Sequence, residues 1–235
     1  MISSRYLSNL SAVIGALYLA LCPITTAGAQ SNADEPFGLS TVDASEAPLS
    51  ATWKDMLLEL NEDLPIIAQC RAEPSSCTSP AALKFLSIVQ EGERQDGRVQ
   101  IAHINRAANA ALRAVNRPQA DREWRPPLGV LTKGAGDCKH YAILKYAALS
   151  ETGITPAALK IVVVEVRSTH EQHAMVAVHT EGRWLLLDNH TSVLIESSQA
   201  LDYYDPLYAL DQDGVRQFAL PSHPIHVAGS DKPTY

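Results

Sequence analysis

Cys138 follows a short glycine turn and opens an apolar segment. The residues before it are Gly134-Ala135-Gly136-Asp137, and aspartate is a preferred N-cap residue, so the segment is predicted to begin a helix here. Unpaired backbone N–H groups and the positive end of the helix dipole would then surround the sulfur, and both favour the thiolate over the thiol. The same N–H groups can stabilise an oxyanion during acyl transfer. This spacing predicts a nucleophilic cysteine in the first turn of a helix.

A nucleophilic cysteine needs a histidine as base and an acid or amide to orient that histidine. Without such partners, a lone cysteine is more often a small buried hydrophobic residue. Glu181-Gly182 predicts a tight hairpin loop that places His173 opposite His190 on the flanking strands. In that register Asp188 and His173 are diagonal neighbours on the same sheet face, and their backbone positions are about 7–8 Å apart across the two strands. The hairpin therefore predicts a His173–Asp188 pair.

Other histidines and acids compete for these roles. His190 faces the same surface as His173 and remains a rival base. Later turns hold rival acids at Asp202, Asp205, Asp211 and Asp213. No zinc-like spacing of cysteine and histidine occurs in the sequence. The remaining histidines are predicted to be structural or exposed: His103, His140, His170, His179, His223 and His226.

The composition describes an ordinary globular protein. The chain has 235 residues, is 46% hydrophobic and 19% charged, and carries a formal net charge of −7. These values fit neither wholesale disorder nor a protein with several membrane spans. The acidic balance without a Lys/Arg cluster argues against a nucleic-acid binder. The length suggests one domain, predicted over residues 51–220, followed by a tail over 221–235.

The first 29 residues are predicted to be a secretory signal peptide. Arg5 is the sole charged side chain before Asp34, the segment from Leu10 to Leu21 is apolar, and Ala27-Gly28-Ala29 fits the cleavage pattern. A retained anchor is the alternative, but the apolar run is shorter than the ~20 residues of a span. A lipoprotein signal at Cys22 is disfavoured because a large leucine precedes it. Cleavage after residue 29 predicts export to an oxidising compartment.

Export leaves three cysteines, and two of them are close in sequence. Cys70 and Cys77 are separated by a stretch that contains the turn-forming Pro74-Ser75-Ser76, so they are predicted to form a disulfide. Cys138 is then the remaining free thiol.

Apolar periodicity predicts helices first and strands second, which is an α+β layout. Residues 30–50 lack such periodicity and are predicted to form a flexible or loosely docked arm, and residues 117–136 a loop. The predicted helices are Thr52 to Ala72 with a break at Pro65, one opening at Ser79-Pro80, Val99 to Val115, and Cys138 to Glu151. The predicted strands are Leu159 to Val166, Ala174 to His179, Trp184 to Leu187 and Val193 to Ile195.

Three segments together resemble the bacterial transglutaminase-like cysteine proteinases. They are Gly136-Asp137-Cys138 continuing to Tyr141-Ala142, then His173 to Val178, then Leu185 to Asn189, and the resemblance extends over roughly Thr52 to Leu220 with Trp124 included. It implies a papain-like α+β fold and peptide-bond hydrolysis through a thioester. By the same resemblance Cys138 is the nucleophile, His173 the base and later the acid, and Asp188 the residue that orients His173.

The resemblance also carries expectations about the oxyanion site, the partners and a metal. Trp124 and Asp137 are expected to help the Cys138 backbone N–H position the oxyanion. Members of the LapG type are periplasmic proteases that cut large surface adhesins and so release biofilm cells, under the control of an inner-membrane cyclic-di-GMP receptor. Family members commonly place acidic residues after the cysteine, where they contribute to a calcium site. Lys139 and His140 stand there instead, so no metal is expected and calcium dependence is doubtful.

Two alternatives to a protease stay open on the sequence. A transglutaminase-like domain can keep the fold as a non-catalytic binding module, although the intact set of cysteine, histidine and aspartate argues against this. A transglutaminase or amidase would use the same thioester with a different acceptor or donor.

Overall fold

A computed structural model describes residues 35–115 and 123–219. The predicted signal peptide and the whole of the predicted C-terminal tail lie outside the described residues. Within the described part of the chain, no helix combines the length and the apolar character that a membrane span requires.

The described residues form five α-helices, which come mostly before the main sheet in sequence. They are α1 (Pro48–Ala72), α2 (Pro80–Glu93), α3 (Gly97–Ala111), α4 (Pro127–Lys133) and α5 (Cys138–Glu151). The predicted break at Pro65 is wrong, because α1 continues through this proline. Buried Met56 and Ile67 anchor the helix on either side of it, so tertiary packing outweighs the hydrogen bond that proline removes.

The described strands form one antiparallel sheet, in which the strand order differs from the sequence order, and a small parallel pair. The seven-stranded sheet has the order β1-β9-β8-β4-β5-β6-β7, and β2 pairs with β3. The strands are β1 (Thr41–Asp43), β2 (Arg113–Ala114), β3 (Ala135–Gly136), β4 (Leu159–Val166), β5 (Glu171–Thr180), β6 (Arg183–Leu187), β7 (Ile195–Glu196), β8 (Tyr204–Asp211) and β9 (Gly214–Phe218). The predicted α+β class is confirmed.

The helices and the sheet bury two apolar layers. The larger layer joins α1, α2, α3 and α5 to one sheet face, and the smaller covers the other face around Phe37, Met175 and Trp184. Helix α5 is buried at every position from His140 to Leu149. A helix buried on all sides is the centre of a core, so its N-terminal residue Cys138 is held by rigid surroundings.

Strand β8 contains a bulge beside the centre of the sheet. Val163 of β4 pairs with Tyr208, but Val164 pairs with Pro206, so the register shifts by one residue between these two positions. The end of the pairing places Val166 opposite Tyr204. Proline has no N–H to donate and is tolerated in sheets at such irregular positions.

Residues 30–34 of the predicted flexible or loosely docked arm lie outside the described residues, and the part of it that begins at Glu35 is packed against the sheet. Phe37 is buried, its N–H donates to Ser197 Oγ at 2.9 Å, and β1 pairs with β9. The buried Lys160 Nζ donates to Glu35 Oε1 at 3.2 Å and to Asp211 Oδ2 at 3.0 Å. Buried charges must be paired, so this cluster ties the segment to β4 and β8.

Candidate active site

Cys138 is the first residue of α5, immediately after β3, as the glycine turn predicts. Asp137 is the N-cap residue, and its backbone nitrogen lies 3.2 Å from His140 Nδ1. A Cβ at Gly136 would lie 2.6 Å from His140 Cβ, so only glycine permits this close approach. His140 is itself anchored, because its Nε2 lies 3.1 Å from the Glu123 carbonyl oxygen and donates to it. These contacts fix the turn that presents the thiol.

His173 and Asp188 form the cross-strand pair that the hairpin predicts. Strands β5 and β6 pair with the predicted register, ending in Val176 opposite Leu187. His173 Nε2 lies 3.0 Å from Asp188 Oδ1. Both side chains are buried. The two-residue loop therefore sets the geometry of a histidine and its orienting acid.

The thiol of Cys138 lies beside the ring of His173, and both residues line the same cavity. His173 uses Nε2 for Asp188, which leaves Nδ1 as the ring nitrogen available to the sulfur. Burial raises the pKa of the Cys138 thiol, but the hydrogen bond and the positive charge of His173 outweigh burial and bring this pKa below its ordinary value. The environment favours a thiolate beside an imidazolium.

The pKa values of His173 and Asp188 are shifted in the directions that favour their charged forms. Burial lowers the pKa of His173, but hydrogen bonds to Asp188 and Cys138 raise it to about 9. Burial raises the pKa of Asp188, but the His173 hydrogen bond and charge bring it to about 2. At neutral pH these shifts place a proton on His173 beside the Asp188 carboxylate.

Asp188 has three further contacts that sequence reasoning missed. Its Oδ1 accepts the His190 backbone N–H at 2.9 Å, and its Oδ2 accepts the Tyr204 hydroxyl at 3.4 Å. Asn109 of α3 donates from Nδ2 to the Asp188 carbonyl oxygen at 3.1 Å and to Thr191 O at 3.3 Å. Asn105, one turn earlier, also donates to Thr191 O at 3.3 Å. The two asparagines, spaced four residues apart on one helix, are the sequence feature that could have indicated these contacts.

The rings around His173 define the walls of the site. His190 lies on one side with a centroid separation of 5.1 Å, and the Tyr204 ring is stacked at 6.4 Å. The site opens into a cavity of about 580 Å³, lined in part by Asp137, Cys138, His173, His190 and Tyr204. This volume lies in the range of ligand-binding clefts. No residue of the docked segment 35–50 lines it.

The rival acids lie elsewhere. Asp205 pairs with Arg167 on the surface, and Asp211 belongs to the buried Lys160 cluster. Asp202 lines a second cavity, and the backbone N–H of Asp213 donates to Asp211. His190, the rival base, is exposed and contacts the His173 ring face.

Trp124 and Asp137 differ in their relation to the cavity. Asp137 lines it, whereas the residues that line it do not include Trp124. The Trp124 ring packs edge-on against Trp53 with a centroid separation of 6.0 Å. Its predicted contribution to the oxyanion site stays a prediction.

Asp137 is not placed as a calcium ligand. Its Oδ1 lies 2.7 Å from His140 Nδ1, and its Oδ2 forms an ion pair with Lys139 Nζ. Burial raises the pKa of Asp137, but these two partners lower it to about 2. Both oxygens of the anion thus already face nitrogen donors, and the Lys139 charge would repel a cation such as Ca²⁺.

A second group of residues has metal-ligand chemistry. Ligand atoms of His173, Asp188 and His190 lie within 4.8 Å of one another. Two imidazoles and a carboxylate suit transition metals better than calcium, which prefers oxygen ligands. Two of the three residues are the hydrogen-bonded pair described above.

The predicted disulfide is present. Cys70 and Cys77 are joined with a Cα–Cα distance of 4.8 Å, and Cys138 is the free cysteine of the described residues.

A free, activated cysteine on a buried helix beside a histidine–aspartate pair has a counterpart among known families. The family model described as bacterial transglutaminase-like cysteine proteinase matches residues 63–206. The chain belongs to this family. It is accordingly a cysteine protease with a transglutaminase-like fold, and the matched range contains all three residues of the site.

Solved structures agree on the fold. Calcium-bound LapG from Legionella pneumophila is 18% identical, with a TM-score of 0.56 over 66% of this chain and 91% of that chain. The EGTA-treated form of the same protein is also 18% identical, with a TM-score of 0.54 over 65% and 83%. At this identity the similarity concerns the fold alone. No curated protein matches the sequence significantly.

Proposed function

We propose that this protease hydrolyses peptide bonds with Cys138, His173 and Asp188 as its catalytic triad. The observation that carries the proposal is the position of His173, whose Nε2 lies 3.0 Å from Asp188 Oδ1 and whose ring lies beside the Cys138 thiol in the same cavity. A histidine placed in this way can take a proton from the thiol, keep a fixed ring orientation and return the proton to a leaving group.

The proposed reaction has two steps. The Cys138 thiolate attacks the carbonyl carbon of the scissile peptide bond, and the imidazolium of His173 gives its proton to the departing amine as the C–N bond breaks. The product is a thioester. Water then attacks the thioester while His173 takes one of its protons, and the carboxylic acid leaves as the thiolate re-forms. As the first N–H of α5, the Cys138 N–H has no carbonyl acceptor within the helix, and it is the proposed oxyanion donor.

The proposed setting is the periplasm, and the proposed substrate is a cell-surface or periplasmic protein. The predicted signal peptide and the Cys70–Cys77 disulfide support an oxidising compartment. Membership of the family supports a protein substrate. The family resemblance extends this to a large biofilm adhesin as substrate and to control by an inner-membrane cyclic-di-GMP receptor. Both remain parts of the proposal.

Alkylation of Cys138 tests the mechanism. We expect iodoacetamide to modify the mature wild-type protein at neutral pH faster than it modifies free cysteine, and His173→Ala to slow this reaction by about tenfold or more. Equal rates for the wild type and free cysteine would contradict the thiolate pair. Incubation with an unfolded protein, with and without a primary amine, separates hydrolysis from amine transfer. Crosslinked or amine-labelled product without cleavage would show that the protein is a transglutaminase instead of a peptidase.

A further inference from the structure

A second cavity adjoins the active-site cleft on the sheet side. It measures about 590 Å³ and lies between the end of β4, β7 and the start of β8. Val166 and Tyr204 line both cavities. These two residues are direct partners in the β4–β8 pairing. This residue pair therefore forms a wall that the second cavity shares with the cleft.

The lining of the second cavity is mainly apolar. Ile195, Ala200 and the two tyrosines Tyr203 and Tyr204 contribute to it. Tyr203 is 68% exposed, which is unusual for so large a ring. The one basic residue in the lining, Arg167, is already paired with Asp205 at 2.8 Å. An apolar pocket edged by tyrosine rings suits an aliphatic or aromatic side chain.

We propose that this cavity is a specificity subsite that binds one large apolar side chain of the protein substrate, close to the scissile bond. The proposal rests on the proposed peptidase function. A polypeptide that passes through the cleft at Cys138 reaches the subsite over Val166 and Tyr204. The Tyr204 ring is stacked on His173, and its hydroxyl contacts Asp188. A side chain in the subsite would therefore pack against a ring that also contacts the histidine and the acid.

A peptide library tests the subsite. Cleavage products of the mature wild-type protein are sequenced by mass spectrometry, and we expect large apolar residues to be enriched about tenfold at one position near the cut. Tyr203→Ala removes one wall, and Ser168→Trp fills the cavity from the exposed β4–β5 turn. Both should reduce the enrichment severalfold while cleavage at other sequences continues. Val193→Ala is the matched control, because Val193 is 66% exposed and does not line the cavity.

The outcomes separate the subsite from the peptidase. Cleavage without apolar enrichment, or enrichment that is unchanged in both variants, would overturn the subsite and leave the peptidase intact. No cleavage by a wild type whose Cys138 still reacts rapidly with iodoacetamide would overturn the peptidase, and the subsite with it.

A separate observation concerns Lys145, which lies two turns along α5 from Cys138. It is 1% exposed, and its Nζ has no hydrogen-bond partner among the described residues. Burial lowers its pKa to about 7, although the Asp188 charge acts in the opposite direction. Asp188 is the charged group that acts on it.

The charge of the site explains why a lysine is buried here. A thiolate, an imidazolium and a carboxylate sum to one negative charge, which is costly to bury. When Lys145 carries its proton, its positive charge offsets this sum. We infer that Lys145 is a positioning residue that acts through Asp188 to favour the ionised form of the triad.

The pH dependence of Cys138 alkylation tests this role. Lys145→Met removes the charge and retains the volume, so the midpoint for thiolate formation should rise by at least about half a pH unit. Lys160→Met removes another buried lysine, one that pairs with Glu35 and Asp211, and should leave the midpoint unchanged. If Lys145→Met does not fold, Lys145→Gln replaces it. An unchanged midpoint in a folded Lys145 variant would overturn the inference.

Discussion

His173 Nε2 and Asp188 Oδ1 lie 3.0 Å apart across two adjacent strands, at positions that are diagonal in the β5–β6 register. This bond occupies Nε2 and leaves Nδ1 available to the thiol. The orientation of the histidine is therefore a property of the hairpin, and the helix positions the sulfur.

Asp188→Asn should keep the shape of the pair and weaken its function. An amide carries no charge to stabilise the imidazolium, so the pKa of His173 should fall and the thiolate should become less populated. We expect peptide cleavage to fall by about 10²- to 10⁴-fold. Cleavage kinetics measure the loss, and Asp205→Asn is the control because Asp205 pairs with Arg167 on the surface. Equal losses in both variants would refute the role of Asp188.

Activity should decline as the pH rises through about 9. The folded-state pKa of His173 is raised to about 9, so the imidazolium that protonates the leaving amine is present below this pH and lost above it. A profile of kcat/KM against pH should show this alkaline limb. In Asp188→Asn the limb should move to lower pH, because the main contact that raises the His173 pKa is weakened. An alkaline limb at the same pH in both proteins would contradict the assignment.

Asn109→Ala should lower activity without removing any member of the triad. Its Nδ2 holds the backbone carbonyl oxygens of Asp188 and Thr191, so its loss should loosen the segment that carries the acid. Removing a hydrogen-bond donor of this kind costs about 1–3 kcal/mol. We expect a fall in kcat larger than any change in KM, together with a lower midpoint in urea unfolding. A fully active Asn109→Ala would show that the asparagine has no part in placing Asp188.

Chelation should leave the activity unchanged. The Asp137 carboxylate is already paired with Lys139 and His140, and no step of the proposed reaction uses a metal. Cleavage rates with EGTA, and with EGTA followed by excess calcium, are the measurement. A loss in EGTA that calcium restores would refute this prediction. Lys139→Ala is an informative companion, since it frees one oxygen of Asp137 without adding a new ligand.

Reduction of the Cys70–Cys77 disulfide should lower stability but not remove the active site. The bridge closes a short loop with a sequence separation of 7 residues, for which chain entropy predicts about 2–3 kcal/mol. Urea unfolding of Cys70→Ala/Cys77→Ala against the wild type measures the difference. The rate of Cys138 alkylation in the folded variant should match that of the wild type. A reduced rate would connect the disulfide to the site.

The local parts of the site could be predicted from the sequence. Asp137 and Cys138 start a helix because the chain changes from a glycine turn to a continuous apolar run. Glu181-Gly182 fixes a register, and the register brings His173 to Asp188 across the hairpin. In both cases short-range chemistry decides the geometry, so nearby residues contain the necessary information.

Long-range contacts could not be predicted in the same way. Asn109 and Tyr204 reach Asp188 from α3 and β8. No local sequence pattern indicates that these elements meet there. Helix α4 was predicted as part of a loop because its seven residues are flanked by proline and glycine. Residues 35–50 lack helical periodicity, yet Phe37 and Glu35 dock against distant β-strands. Their order comes from tertiary packing.

The bulge in β8 decides which functional group stands beside the acid of the site. If the pairing of Val163 with Tyr208 continued regularly, Val166 would lie opposite Asp205. The one-residue shift places Tyr204 there instead, and a shift of one residue exchanges the two faces of a strand. Tyr204, whose hydroxyl contacts Asp188 at 3.4 Å, thus stands where an unshifted strand would place the much shorter Asp205 side chain. A single additional residue in β8 therefore gives the acid of the site a hydroxyl donor.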